Sequence, residues 1–163
     1  VFNHMYFAPT EEIVLALKEA AERGVKIEII TTAVTKNCPH GQRAYGPYNR
    51  WHWSYLVAKV APEFQKNIEI YAYQQEKKGL HKKVIVVDDT VLAGSSNFGY
   101  KSLVTSSDHE FNFLAKSQLF AERTLAICEE DKARSIKIEG NMGFSPLKYI
   151  IAWIYSLNKH LIN

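Results

Sequence analysis

Cysteine is scarce in this chain of 163 residues, with Cys38 and Cys128 alone and far apart. That excludes a small disulfide-stapled scaffold, and the expectation is a reduced compartment or a fold indifferent to oxidation. No run of eighteen apolar residues occurs, so the sequence lacks a comfortable membrane-spanning helix. Charge of one sign is also missing. A net charge of +3 permits an anionic lipid or a nucleic acid as partner and demands neither. There is no initiator Met and no leader pattern, and Val1 falls in mid-pattern, so a piece of a longer protein is expected. What is present is a 47% apolar composition, enough for one domain with a real core.

The patterning reads as alternating strands and helices. Residues 1–7 form the end of a strand. Thr10 is the expected N-cap of a helix with Glu11 and Glu12 in its first turn, Ile13, Leu17, Ala20 and Ala21 inward, and Gly24 as the residue that stops it. Residues 25–32 form a second strand, and strand–helix–strand at this spacing implies partly parallel pairing in an α/β sandwich. Residues 33–55 break the pattern and read as a long aromatic loop, whose rings beside Arg43 and Arg50 could line a substrate mouth. Trp53 and Leu56 are expected instead to start a helix packed into the core. Cys38-Pro39-His40 offers two metal-ligand types without a second pair, so no metal site is expected. Ile68, Ile70 and Ala72 alternate as one face of a strand. Lys77 and Lys78 read as solvated charges.

Residues 80–97 organise the rest. Val84, Ile85, Val86 and Val87 are one β-branched run, and Val91, Leu92 and Ala93 are a second. Asp88-Asp89-Thr90 supplies the turn, so two buried antiparallel strands in a tight hairpin are expected. On a strand, His81 and Lys83 project from one face roughly 6.6 Å apart. Gly94 ends the second strand, and Ser95-Ser96-Asn97 turns back toward that face. A phosphodiester needs cationic and amide donors on its oxygens, a nucleophile in line with the leaving oxygen, and an acid to protonate it. Imidazole can be either nucleophile or acid, and Lys83 and Asn97 suit the oxygens. Spacing alone is served equally well by a hairpin with ordinary polar ends.

The motif His81-x-Lys83-x4-Asp88 followed by Gly94-Ser95-x-Asn97 resembles the signature of the phospholipase D superfamily. One departure is the gap between Asp88 and Gly94, five residues where the family usually has six. Tyr6-Phe7-x-Pro9, Ala20-Ala21-x-Arg23-Gly24-Val25 and Asn97-Phe98-Gly99-Tyr100-Lys101-Ser102 look like the same family, and Glu110 fits its downstream acid. The likeness covers residues 1–138, expected to be one domain. Residues 139–163 are expected to hold a last helix, packed on the domain or at an interface, with an interfacial membrane anchor as the alternative.

The resemblance implies a mixed sheet flanked by helices, forming half of a two-motif or dimeric assembly. It implies an exchange at phosphorus through a phosphohistidine, with catalytic His81, Lys83, Asn97 and Glu110, supporting Asp88 and Ser95, and neither cofactor nor metal. Glu110 is to orient the imidazole, and Ser95 to act through hydrogen bonds. Asp88, on the opposite face, is to tie down the turn. His4 is expected to be structural, since nothing nearby partners it, and His109 is left out. Attack and protonation occur on opposite sides of phosphorus, so two His-x-Lys copies are needed. The second would come from an N-terminal half of the same protein or from a second copy. The opening looks most like the C-terminal half of a two-motif lipid enzyme similar to cardiolipin synthases, in which His81 would be the general acid. Two alternatives stay open: a homodimeric metal-independent nuclease, and a non-catalytic half that only positions a partner. The expected location is cytoplasmic or peripheral to a membrane.

The chain from 119 to 138 reads as a helix with Phe120, Ile127 and Cys128 inward and Glu129, Glu130, Asp131, Lys132 and Arg134 outward. Residues 110–114 read as a further strand.

Overall fold

The computed structural model describes residues 1–32, 45–74, 79–99, 101–105 and 109–139. Seven strands form one mixed sheet in the order β6-β5-β4-β1-β2-β3-β7. In chain order they are β1 (Phe2–His4), β2 (Ile27–Thr32), β3 (Ile68–Tyr73), β4 (Lys83–Val87), β5 (Thr90–Gly94), β6 (Asn112–Lys116) and β7 (Ser135–Lys137). The helices are α1 (Glu11–Glu22), α2 (Tyr45–Lys59) and α3 (Gln118–Ala133). β1, β2 and β3 run parallel, and all other neighbouring strands run antiparallel.

The sheet is covered on both faces, as a parallel centre requires. On one face α1 and α2 close over Phe2, Ile27, Ile29, Ile68 and Ile70 with Val14, Ala21, Trp53, Leu56 and Val60. On the other, α3 brings Cys128 against Ile30, Tyr71 and Leu80, and Ala121 against Val86 and Val91. Thr10 occupies the N-cap of α1 in extended conformation, but its hydroxyl makes no capping bond. It bonds the Glu12 carboxylate instead. Gly24 adopts φ 93°, the left-handed conformation a helix-ending residue needs.

Four expectations need correction. The long loop does not reach residue 55, because α2 begins at Tyr45. Pro47 lies in its first turn, where a missing N–H costs no hydrogen bond. The hairpin β4–β5 forms, but Thr90, expected in the turn, already pairs with Val87 in β5, and the hairpin is buried on one face only. Val87 is 57% exposed and Leu92 39%, since neither α1 nor α2 extends over that corner. The inward stripe of α3 is Ala121, Thr124, Cys128 and Asp131, which leaves Phe120 and Ile127 exposed and buries an expected surface carboxylate. Asp131 is tolerated inside because Asn3 Nδ2 donates to it at 2.7 Å and the Lys82 ammonium at 2.5 Å. Finally, the helix stops at Ala133 and β7 follows, while β6 starts at Asn112 rather than 110.

The readings of Cys38, Pro39, His40, Arg43, Lys77, Lys78 and the helix expected beyond residue 139 lie outside the described residues.

Candidate functional site

Period-two alternation sets the site. Leu80 is buried in the α3 face, and the Lys82 ammonium reaches Asp131 of α3. His81 and Lys83 therefore project on the opposite face. Met5 N–H donates to the Lys82 carbonyl at 3.1 Å, which extends the β1–β4 pairing and holds this entry segment straight. His81 is exposed, and Lys83 is half-buried. The Lys83 Nζ lies 3.3 Å from His81 Nδ1 and 3.2 Å from Nε2, and it donates to the His81 carbonyl at 3.0 Å. A neutral imidazole accepts at only one of its two ring nitrogens, so the ammonium cannot bond both. It stands beside the imidazole as a neighbouring positive charge.

The second wall comes from the turn after β5. Gly94 is required by close approach. A Cβ there would lie 2.7 Å from Asn112 Cα and closer still to the Phe111 carbonyl. Ser95 N–H donates to the Phe111 carbonyl at 2.9 Å, and Phe111 N–H returns a bond to Ser95 Oγ at 2.9 Å. Ser95 Oγ in turn donates to Glu110 at 2.5 Å. Ser102, on a single π-type turn (Lys101–Thr105), donates to the other oxygen of Glu110 at 2.9 Å. The Ser95 hydroxyl, with smaller help from Ser102, the Lys83 charge and the Asn97 amide, holds the Glu110 carboxyl below its ordinary range. Burial lowers the Lys83 ammonium, and the Glu110 charge partly offsets that. Asn97 Oδ1 is buried without a partner among the described residues.

Five of the six residues read from the sequence are thus linked by contacts or charge, Asn97 through its backbone N–H to Glu110. His81 and Lys83 touch, Ser95 and Glu110 touch, and Lys83, Glu110 and Asn97 share an electrostatic neighbourhood. Glu110 is engaged with the two serines, and no bond joins it to His81 among the described contacts. Asp88 is apart. It is five residues beyond Lys83, about 16 Å along the strand, in the turn with φ 52°.

Two residues have contacts near the site that the sequence reading did not assign them. His4 does have a neighbour, because the β1–β4 register places it opposite Lys83. It is buried against Phe98, ring centroids 5.4 Å apart, and burial first, then the Lys83 charge, pushes its pKa down to about 3. Ser102, quoted from the sequence only within a family-like stretch, is the other, with its partner Glu110 eight residues on. The pairing of His4 with Lys83 is long-range and leaves no local signal. Among the described residues no cluster of three His, Cys, Asp or Glu is arranged to hold a metal.

Set against known proteins, residues 1–132 match the family described as cardiolipin synthase, PLD-like domain. The chain belongs to the phospholipase D-like family. This PLD-like chain is similar to a probable cardiolipin synthase, YwiE, of Bacillus subtilis (strain 168), 31% identical over 136 residues. That alignment covers 82% of the chain but 24% of the relative, so the chain spans about a quarter of its length. Among solved structures it shares its fold with phosphatidylserine synthase of Haemophilus influenzae Rd KW20 at TM-score 0.66 and 14% identity, over 99% of this chain and 40% of the other. Nuc from Salmonella typhimurium, described as a phospholipase D family member, aligns at TM-score 0.55 and 21% identity over 85% and 82%. NucT from Helicobacter pylori gives TM-score 0.57 and 17% identity over 83% and 79%. These likenesses bear out the expected mixed sheet flanked by helices.

Proposed function

We propose that this PLD-like domain supplies one half-site of a phosphodiesterase or phosphatidyltransferase acting on phospholipids. The observation that carries the reading is the exposed imidazole of His81 beside the Lys83 ammonium, at 3.2 Å, with the Glu110 carboxylate within reach of both the Lys83 charge and the Asn97 backbone N–H. A phosphodiester is a monoanion, and this group offers one strong cation, a carboxamide and a titratable ring for it. Glu110 balances Lys83 and, clamped by Ser95 and Ser102, keeps the turn bearing Asn97 in place.

In this reading an imidazole attacks phosphorus and the bond to the leaving alcohol oxygen breaks, leaving a phosphohistidine. A second imidazole gives its proton to that oxygen, and His81 takes this acid role. Water or another alcohol then attacks phosphorus and breaks the N–P bond, returning its proton to His81. Such a relay needs two imidazoles on opposite sides of phosphorus. The partner is therefore the other half of a longer protein or a second copy, and residues 1–138 act as the catalytic unit. No step calls on a metal.

The test is turnover of phosphatidylglycerol and of bis(p-nitrophenyl) phosphate in the presence of a chelator, comparing the protein with His81→Ala. A loss of about a thousandfold or more is expected when the proton donor is removed, at the scale of a general acid plus its charge. Unchanged turnover removes His81 from the mechanism. Cleavage of DNA but not lipid would select the nuclease alternative. No turnover of any diester by the whole protein would leave the non-catalytic reading.

A further inference from the structure

A concavity lies on the α1–α2 side, lined by none of His81, Lys83, Asn97 and Glu110. It has a volume of about 610 Å³ and is walled by Tyr48, Trp51, His52 and Tyr55 of α2. Ala8, Pro9 and Val14 form the facing wall, Val104 closes one end, and Thr10, Glu11 and Glu12 lie at the rim. The rings are pre-arranged. Trp51 and Tyr55 stack 5.6 Å apart and nearly parallel, at 6°, while His52 packs edge-on against Tyr48 and Trp51 at 4.7 Å each. The cleft borders the site through two connections. Ala8 N–H donates to the Phe98 carbonyl at 2.8 Å, one residue from Asn97, and Val104 belongs to the turn whose Ser102 holds Glu110.

Charge decides what fits. None of the described lining residues is Lys or Arg. Glu11 is matched by Lys59 at 3.3 Å, whose ammonium lies over the Tyr55 ring at 4.9 Å. Glu12 has no such cation among the described residues, and the Thr10 hydroxyl holds its pKa below the ordinary value. A nucleic acid strand would bring successive phosphates past this rim, where binding would need cations, not carboxylates. An uncharged hydrocarbon has no quarrel with a lone carboxylate at the mouth. It also suits an aromatic cleft within the usual 300–1,000 Å³ of a small-ligand site.

We propose that this aromatic cleft binds an acyl chain of the phosphodiester whose phosphoryl group rests at His81, Lys83 and Asn97. The inference deepens the phospholipid reading and rests on it. It gives the chain a preference for diesters carrying hydrocarbon over bare or nucleotide diesters, with Trp51 and Tyr55 as the contact surface.

Trp51 reports on its own occupancy. The whole protein would be titrated with a water-soluble phosphatidylglycerol bearing brominated short chains, below its micelle threshold, while tryptophan fluorescence is read. Bromine quenches an indole it touches. Quenching in the wild type that disappears in Trp51→Phe is expected, and Val104→Trp, which fills the cleft from an exposed position, should weaken the binding about tenfold. Quenching that survives in Trp51→Phe overturns the assignment, as does quenching of Trp51 by an oligothymidylate in place of the lipid. No quenching alongside His81-dependent cleavage of bis(p-nitrophenyl) phosphate also overturns the cleft but leaves the phosphodiesterase intact. Quenching at Trp51 with no cleavage of any diester keeps the lipid cleft and sinks the catalytic reading instead.

Discussion

His4 shows how far one side chain's meaning depends on its surroundings. It is 5% exposed, its Nδ1 has no partner among the described residues, and Lys83 stands across the strand pair. A charged ring there would be desolvated and would face another cation, which is why its pKa falls from 6.5 to about 3. The consequence for stability has a definite sign. The unfolded chain takes up a proton at His4 as pH drops through 6.5, and the folded chain resists until about pH 3. Stability from the neutral ring is thus complete above pH 6.5 and is lost as pH falls toward 3, at up to about 1.4 kcal/mol per pH unit. Urea denaturation from pH 7 to pH 4 should therefore show a steeper decline for the wild type than for His4→Phe. Parallel curves would mean that the ring is protonated in the fold. The same neutrality keeps His4 from adding a further positive charge behind Lys83.

At the scale of elements, the buried hub is Asn49 on α2. It is fully buried, and its Nδ2 lies 2.8 Å from the Met5 carbonyl, 2.9 Å from the Thr32 carbonyl and 3.0 Å from Thr31 Oγ1. Phe7 N–H donates to its Oδ1 at 3.0 Å. One carboxamide thus ties the carboxyl ends of β1 and β2 to α2, at the edge of the parallel strands where α/β folds bind ligands. Asn49→Ala leaves those groups unpaired and should cost about 2–4 kcal/mol in thermal or urea unfolding. A loss below about 0.5 kcal/mol would mean that water replaces the amide without penalty. Nothing local marks Asn49 as a hub, because each partner is distant in sequence. What was legible is what repeats locally. Ile68, Ile70 and Ala72 alternate, the β-branched run at 84–87 meets a turn, and Gly24 stops a helix. The motif residues were legible by resemblance. Asp131 was misread because helical charge is ordinarily solvated, and only the sheet's Lys82 and Asn3 bring it inside. The start of α2 was misread because Gly46-Pro47 is ordinarily a loop pair.

For the whole molecule, the question is how one site imidazole, that of His81, can serve a reaction with two sides. Among the other described histidines, His4 is buried and neutral, His52 walls the cleft, and His109 is exposed with no contact to Lys83 among the described residues. In the proposed mechanism the second imidazole arrives from outside this set, and among the described residues no helix covers the corner of the sheet nearest the hairpin. Leu114, on β6, is 72% exposed and Val87 57%, on the face that α1 and α2 leave bare. If a second copy completes the site, assembly and catalysis become one equilibrium. Turnover of bis(p-nitrophenyl) phosphate per chain should then rise with protein concentration, following the dimer fraction seen by sedimentation, and level off once association is complete. Leu114→Lys, which puts a charge on the bare face without touching the site, should move both curves to higher concentration together. If turnover per chain is flat while the protein sediments as a monomer, no copy is needed, and the second imidazole belongs to the same polypeptide.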